Sequence, residues 1–330
     1  MRQVSTAVSI RWLLSLLVVG FAFQTTGAEL PANVDPDVTV FASPTRLDQI
    51  GRVLIPVMVN GQGPFRFIVD TGASQSTISP RLVLALGVDS STQRPMRVNG
   101  ITGTADVPSV AIHRLQAGDL VIEEARIPVI WAPLMAGADG ILGVAGLKKE
   151  FLLVDFRNNR VKITRSQGNR TALGFSRVDA KRLNDGLLTV AARIGGVRVQ
   201  AVIDTGSERT IGNTALRNAL NGWRRGASLQ EVTRVYGATT EVAAGEMEVA
   251  PTIDLGTVRI GNVTIVYGNF HIFEVWGMQS TPALIIGMDV LGTVRGLGID
   301  FQRAEIYFDG LPYLSSAALP RRGSSGPPPS

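Results

Sequence analysis

Two short stretches carry the residue types that could do chemistry. One reads Asp70-Thr71-Gly72-Ala73-Ser74 and the other Asp204-Thr205-Gly206-Ser207-Glu208, with the two aspartates 134 residues apart. Each follows a largely apolar run, Phe65 to Val69 and Val199 to Ile203, that ends in an abrupt chain reversal. Gly72 and Gly206 permit a backbone conformation and a close approach that a side chain would block. Thr71 and Thr205 offer hydroxyls that can bond across to the other copy. If the two reversals meet about a pseudo-twofold axis, Asp70 and Asp204 face each other. Two carboxylates at that range cannot both ionise, so they share one proton. Such a pair can take a proton from a water and give one to a carbonyl oxygen, without a covalent intermediate or a metal. Ser207 can donate to Asp204, whereas Ala73 has no side-chain donor for Asp70. Asp204 is therefore expected as the anion and Asp70 as the holder of the proton.

These reversals must be positioned by a repeated framework. The first copy opens at Gly51 and runs through Val53–Val59 to Asp70; the second opens at Gly186 and runs through Leu188–Ile194 to Asp204. Each reads as two alternating strands around a Gly-containing turn, with Gly61-Gln62-Gly63 as the turn of the first. The likeness resumes at Gly140-Ile141-Leu142-Gly143 with Leu147 and Asp155, and at Leu284-Ile285-Ile286-Gly287 with Leu291 and Asp300. Asp155 and Asp300 are 145 residues apart, so the second copy carries a net insertion of eleven residues. Between these landmarks, Asn99-Gly100-Ile101-Thr102-Gly103 and Tyr236-Gly237-Ala238-Thr239-Thr240 read as hairpin tips. Short helices are predicted over Pro80–Leu86 and Thr214–Leu220, and around Leu147 and Val290–Leu291. The fold class is mainly β, with two homologous lobes. The expected organisation is a signal segment at 1–28, a leader at 29–45, lobes at 46–165 and 186–312, a linker at 166–185 and a Pro/Ser/Gly tail at 313–330 too polar to bury a core.

Composition narrows the function. Of 330 residues, 45% are hydrophobic and 18% charged, which excludes a disordered chain. There is no cysteine, which removes disulfides, Cys-based metal sites and thiol catalysis, and with two histidines a His-rich metal site has no material. The net charge of +5 is scattered, with no basic stripe, so no nucleic-acid partner is expected. At the N-terminus Arg2 and Arg11 precede an apolar run from Trp12 to Phe23 and a small-residue exit. This predicts a secretory signal cleaved after Ala28 and a periplasmic or extracellular protein; an uncleaved anchor is the alternative. No later run reaches spanning length.

The two Asp-Thr-Gly stretches, each with its later Ile-Leu-Gly or Ile-Ile-Gly, resemble the aspartic proteases. The half-size and the Asn-Gly-Ile-Thr-Gly stretch resemble the retroviral type, here as two fused halves. The resemblance implies two pseudo-twofold acid-protease lobes with a cleft between them, and a peptidase with an Asp70–Asp204 catalytic pair. Thr71 and Thr205 would make the bonds between lobes, and Gly72 and Gly206 would lie at the substrate backbone. Asn99, Gly100, Ile101, Thr102 and Gly103 would form a flap, with Tyr236 and Gly237 in its counterpart. Ile141, Leu142 and Gly143, with Ile285, Ile286 and Gly287, would buttress the Asp loops. No cofactor or metal is implied, the partner is an extended polypeptide, and a monomer suffices because one chain holds both halves. Glu208 departs from the family pattern; it either bonds substrate backbone or pairs with Arg209.

Other residues have plainer readings. Asp155 and Asp300 read as structural, His113 and His271 as strand residues, and Trp131 and Trp276 as packing residues. Glu123–Glu124 and Arg321–Arg322 read as solvated. Two rivals remain: an inactive peptide-binding module of the same fold, and an envelope β-protein whose two aspartates lie far apart.

Overall fold

The computed structural model describes residues 39–44, 46–47, 51–88, 94–130, 135–167, 174–220 and 231–309. The expected signal segment, Trp131, Arg321–Arg322 and the tail lie outside the described residues. Among those described, no helix is long and apolar enough to cross a membrane.

Each half is built on the same plan. Val53–Val59 and Gln62–Val69 form an antiparallel hairpin, as do Leu188–Ile194 and Val197–Ile203. The turns are two residues long, Asn60-Gly61 and Gly195-Gly196, and all four residues have positive φ (50°, 78°, 54° and 84°). That is the turn whose twist matches paired strands, and it selects Asn and Gly. Gln62, expected in the turn, already belongs to the strand. The second hairpin strand then pairs in parallel with the apolar-apolar-Gly segment. Val69 lies opposite Leu142, and Ile203 opposite Ile286. On the other side of that segment lie Thr77–Ile78 in the first half and Ile211–Asn213 in the second, both antiparallel. The chain between, from Asp70 or Asp204 onward, therefore crosses over the end of the segment.

The central segments are nearly all apolar because they are covered on both faces. Phe67, Ile68 and Val69 are fully buried, as are Ala283, Leu284, Ile285 and Ile286. Burying each such side chain contributes about 1.5–3 kcal/mol. A helix follows each Asp loop, Pro80–Leu86 and Thr214–Ala219. Both start alike: Ser79 Oγ accepts from Leu82 N at 3.1 Å, and Asn213 Oδ1 from Leu216 N at 2.8 Å. These N-caps and Pro80 at the first turn fix where the helices begin. Leu147 lies on a 3₁₀ turn, Val144–Leu147, and Leu291 on the helix Met288–Leu291. A further helix, His271–Val275, has no counterpart in the sequence reading, which placed His271 in a strand.

The halves are joined by a six-stranded antiparallel sheet. Its order is Thr39–Pro44, Arg160–Arg165, Glu150–Asp155, Gly296–Asp300, Glu305–Asp309, Ser176–Arg182. At the centre Phe151 pairs with Asp300 and Val154 with Leu297. The Phe151 and Tyr307 rings meet edge-on at 5.9 Å. The presumed leader thus supplies an edge strand, and the presumed linker supplies Ser176–Arg182. Asp155 and Asp300 each end a strand and accept the amide of the following turn, from Asn158 at 3.0 Å and Arg303 at 2.9 Å.

Candidate active site

The two crossover loops meet at the junction of the halves. Thr71 Oγ1 donates to the Ile203 carbonyl at 2.7 Å, and Thr205 Oγ1 donates to the Val69 carbonyl at 2.6 Å. Each hydroxyl also accepts the other's main-chain N–H, Thr205 N to Thr71 Oγ1 at 3.1 Å and Thr71 N to Thr205 Oγ1 at 3.2 Å. Each threonine therefore stitches its own loop to the strand end of the opposite half. The hydroxyls are buried, so all four bonds form where water cannot compete.

This interlock sets the aspartates. Asp70 and Asp204 follow the strand ends that the threonines grip, and their amides bond back to Leu142 O and Ile286 O at 3.0 Å each. Their carboxyl groups hydrogen-bond to each other. Gly72 N donates to Asp70 Oδ1 at 2.8 Å and Gly206 N to Asp204 Oδ1 at 2.8 Å. A methyl group on Gly72 would overlap the Asp204 carboxyl, and one on Gly206 the Asp70 carboxyl. The glycines are thus required by the opposite half's acid, and their φ is not in the left-handed region.

The buttress residues act through the chain crossing. A Cβ on Gly143 would strike the Gln75 backbone, and one on Gly287 the Arg209 backbone. Gly143 N donates to Ser76 Oγ at 3.2 Å, and Gly287 N to Thr210 Oγ1 at 3.2 Å. Ser76 and Thr210 were missed in the sequence, although a hydroxyl residue stands six positions after each aspartate.

The electrostatics differ from expectation. Ser207 Oγ donates to the Arg209 carbonyl at 2.8 Å, leaving its main-chain N–H to reach Asp204 Oδ1 at 3.0 Å. The Ser207 hydroxyl thus gives Asp204 no special support. Burial pushes both carboxyls above the usual range. For Asp204 the charge of Asp70 adds to this, so it stands well above, against the pull of the Gly206 and Ser207 amides. For Asp70, burial is opposed by the Gly72 amide, the Asp204 carboxyl, the Arg52 cation and the Ala73 amide. Asp204 is 7% exposed, while Asp70 keeps more surface open. Both carboxyls are therefore held above the ordinary range as one pair sharing a proton, and the Ser207 hydroxyl, turned to Arg209, does not supply the support for an Asp204 anion that the sequence suggested. Arg52 places a positive charge that acts on Asp70, and its place in the repeat is taken by Leu187 in the other half.

The hairpin tips also meet. They cap Arg94–Asn99/Thr104–Ala117 in the first half and Glu231–Tyr236/Val242–Val249 in the second. Thr102 Oγ1 and Thr239 Oγ1 lie 3.2 Å apart. Gly100 packs on Ala238 N, and Gly237 on Thr102. Gly103 turns the first tip, its carbonyl accepting Gly100 N at 2.8 Å. Ile101 packs into a cluster of the second half and Ala238 into one of the first, so each tip reaches across. Thr104 Oγ1 donates to Asn99 Oδ1 at 2.8 Å and sits 2.8 Å from His271 Nε2. Tyr236 stands apart at the hairpin shoulder, 59% exposed.

Glu208 pairs with Arg209 at 3.6 Å, both half exposed. Trp276 packs edge-on against Phe273 and donates to Asp185 at 3.0 Å. Among the described residues no group of three or more acidic or histidine side chains is placed to hold a metal ion.

Comparison with known proteins gives one family. The aspartyl protease family model matches the chain twice, over residues 55–145 and 190–290. Each match holds one Asp-Thr-Gly and its apolar-apolar-Gly. A search of the curated proteins finds no match to the chain. With more than half of its residues matched and the same loop in both halves, this chain belongs to the aspartyl protease family, as two fused retropepsin-like lobes.

Proposed function

We propose that the protein is an aspartic endopeptidase that hydrolyses peptide bonds through a water held by Asp70 and Asp204. The observation that carries this reading is the reciprocal threonine interlock, which puts two carboxyls in hydrogen-bond contact where the halves meet. Asp70, as the anion, takes a proton from the water while the water oxygen bonds to the peptide carbonyl carbon. The Asp204 proton passes to the carbonyl oxygen. In the second step one hydroxyl of the tetrahedral adduct returns its proton to Asp204, the C–N bond breaks, and the amide nitrogen takes the proton from Asp70. The dyad ends as it began. The substrate lies extended beneath the two hairpin tips, its main chain adding as a strand.

The test is cleavage of an unfolded protein between pH 3 and 7. Asp70→Asn and Asp204→Asn are each expected to lower kcat by roughly 10²–10⁴-fold, the span of acid–base catalysis. Wild-type protein that binds peptide and never cuts it would make this a peptide-binding module instead. The envelope-protein reading requires the two aspartates far apart, and they are in contact.

A further inference from the structure

The main-chain amide of each dyad aspartate begins a run of hydrogen bonds, and the two halves end that run differently. Asp204 N donates to the Ile286 carbonyl at 3.0 Å. The N–H of the same peptide unit, on Gly287, donates to Thr210 Oγ1 at 3.2 Å. Thr210 Oγ1 in turn donates to Asp289 Oδ1 at 2.7 Å, and Thr210 N donates to Asp289 Oδ2 at 2.9 Å. From Asp204 through the peptide and the hydroxyl to Asp289, the donors all point one way. Hydrogen bonds aligned like this polarise and strengthen one another.

The first half repeats the run only as far as the hydroxyl. Asp70 N donates to Leu142 O at 3.0 Å, and Gly143 N to Ser76 Oγ at 3.2 Å. Ala145 N bonds Ser74 O as Asp289 N bonds Glu208 O, so Ala145 stands where Asp289 stands. Alanine has no side-chain acceptor. Burial divides the halves in the same way, for Thr210 is fully buried and Ser76 half-buried. A buried N–H and a buried O–H both need acceptors, and in Thr210 one carboxylate serves both. Asp289 is an exposed residue in the first turn of Met288–Leu291, and its side chain reaches inward to that threonine.

We propose that Asp289 is a positioning residue for Asp204. It holds the Thr210 hydroxyl, the hydroxyl holds the Ile286–Gly287 peptide, and the peptide sets the Asp204 main chain within the dyad. Asp289 acts through these groups and not on the reacting atoms. This inference rests on the proposed endopeptidase reading.

The experiment compares the full chain with Asp289→Ala, Asp289→Asn and Thr210→Val in cleavage of one peptide, at a temperature where circular dichroism shows each folded. Alanine is what the first half carries at this place, so the backbone accommodates it. Asp289→Ala is expected to lower kcat roughly tenfold and to leave KM within about twofold, because a displaced acid fails in the transition state and not in binding. Asp289→Asn keeps an oxygen for the Thr210 hydroxyl and should restore most of the loss. Thr210→Val cuts the same run, so the double variant with Asp289→Ala should be no slower than the slower single variant. An unchanged kcat, a loss confined to KM, a loss that asparagine does not restore, or losses that multiply in the double variant would each overturn the proposal. Hydrogen exchange reads the run without turnover. The Asp204 and Gly287 amides should exchange several-fold faster in Asp289→Ala while the Asp70 and Gly143 amides do not change, and equal exchange at all four would also overturn it. A starting chain that cuts no peptide would end the endopeptidase reading, and exchange would still decide whether Asp289 fixes Asp204.

Discussion

At each Asp-Thr-Gly the three residues have separable tasks. The aspartate supplies the carboxyl, the threonine grips the opposite strand end, and the glycine leaves room for the opposite acid. The difference between the two copies lies outside the tripeptide, in Arg52 against Leu187. Arg52→Leu should raise Asp70's pKa and move the acid limb of the kcat/KM–pH profile upward, while Ser207→Ala should leave that limb in place because its hydroxyl bonds Arg209. Stability gives a second check. Asp204 has a folded pKa raised above its unfolded value, so the folded state binds more protons between the two and loses stability as pH rises through that window. Asp204→Asn should therefore stabilise the protein at pH 7, by on the order of 1–3 kcal/mol, and the gain should vanish below the ordinary carboxylate range. Calorimetric Tm against pH for the two chains reads it directly. The acids, threonines and glycines were legible in the sequence because their types and spacing repeat. The electrostatic surroundings of the acids were not, because they depend on which of two acceptors the Ser207 hydroxyl chooses and on a cation eighteen residues before Asp70.

The elements that frame the site are short and mutually braced. The crossing of each Asp loop over Gly143 or Gly287 needs a residue without a side chain, a hydroxyl six positions past the acid, and a buried parallel strand beneath. The hairpin tips are held by few contacts, one of them between Thr102 and Thr239. Thr102→Val keeps the shape and removes that bond. KM for a peptide substrate is expected to rise several-fold with a smaller change in kcat, since about 1 kcal/mol of tip closure is lost. Equal KM in steady-state assays would assign closure to apolar packing of Ile101 and Ala238. Hairpins, turns and both N-capped helices were readable from alternation, Asn-Gly or Gly-Gly pairs, and Ser79 or Asn213. The helix His271–Val275 was not: five residues are too few for a period to show, and its place is fixed by tertiary packing of Ile272 and Phe273.

At the scale of the molecule the two halves are one folding unit. Glu150–Asp155 has Arg160–Arg165 on one side and Gly296–Asp300, from the other half, on the second. Unfolding should accordingly be a single transition with equal calorimetric and van't Hoff enthalpies, and two resolved transitions would contradict the shared sheet. The duplication was visible in the sequence, but the shared sheet was not. Its strands alternate like any others, and nothing in 166–185 marks Ser176–Arg182 as a bridge. The threonine interlock has a consequence for synthesis. While only the first half has been made, Thr71 has no Ile203 carbonyl to grip and Asp70 no second acid to share a proton with. A truncated or partly translated chain then lacks the paired acids altogether, and the pair comes into being only when the strands of the second half dock.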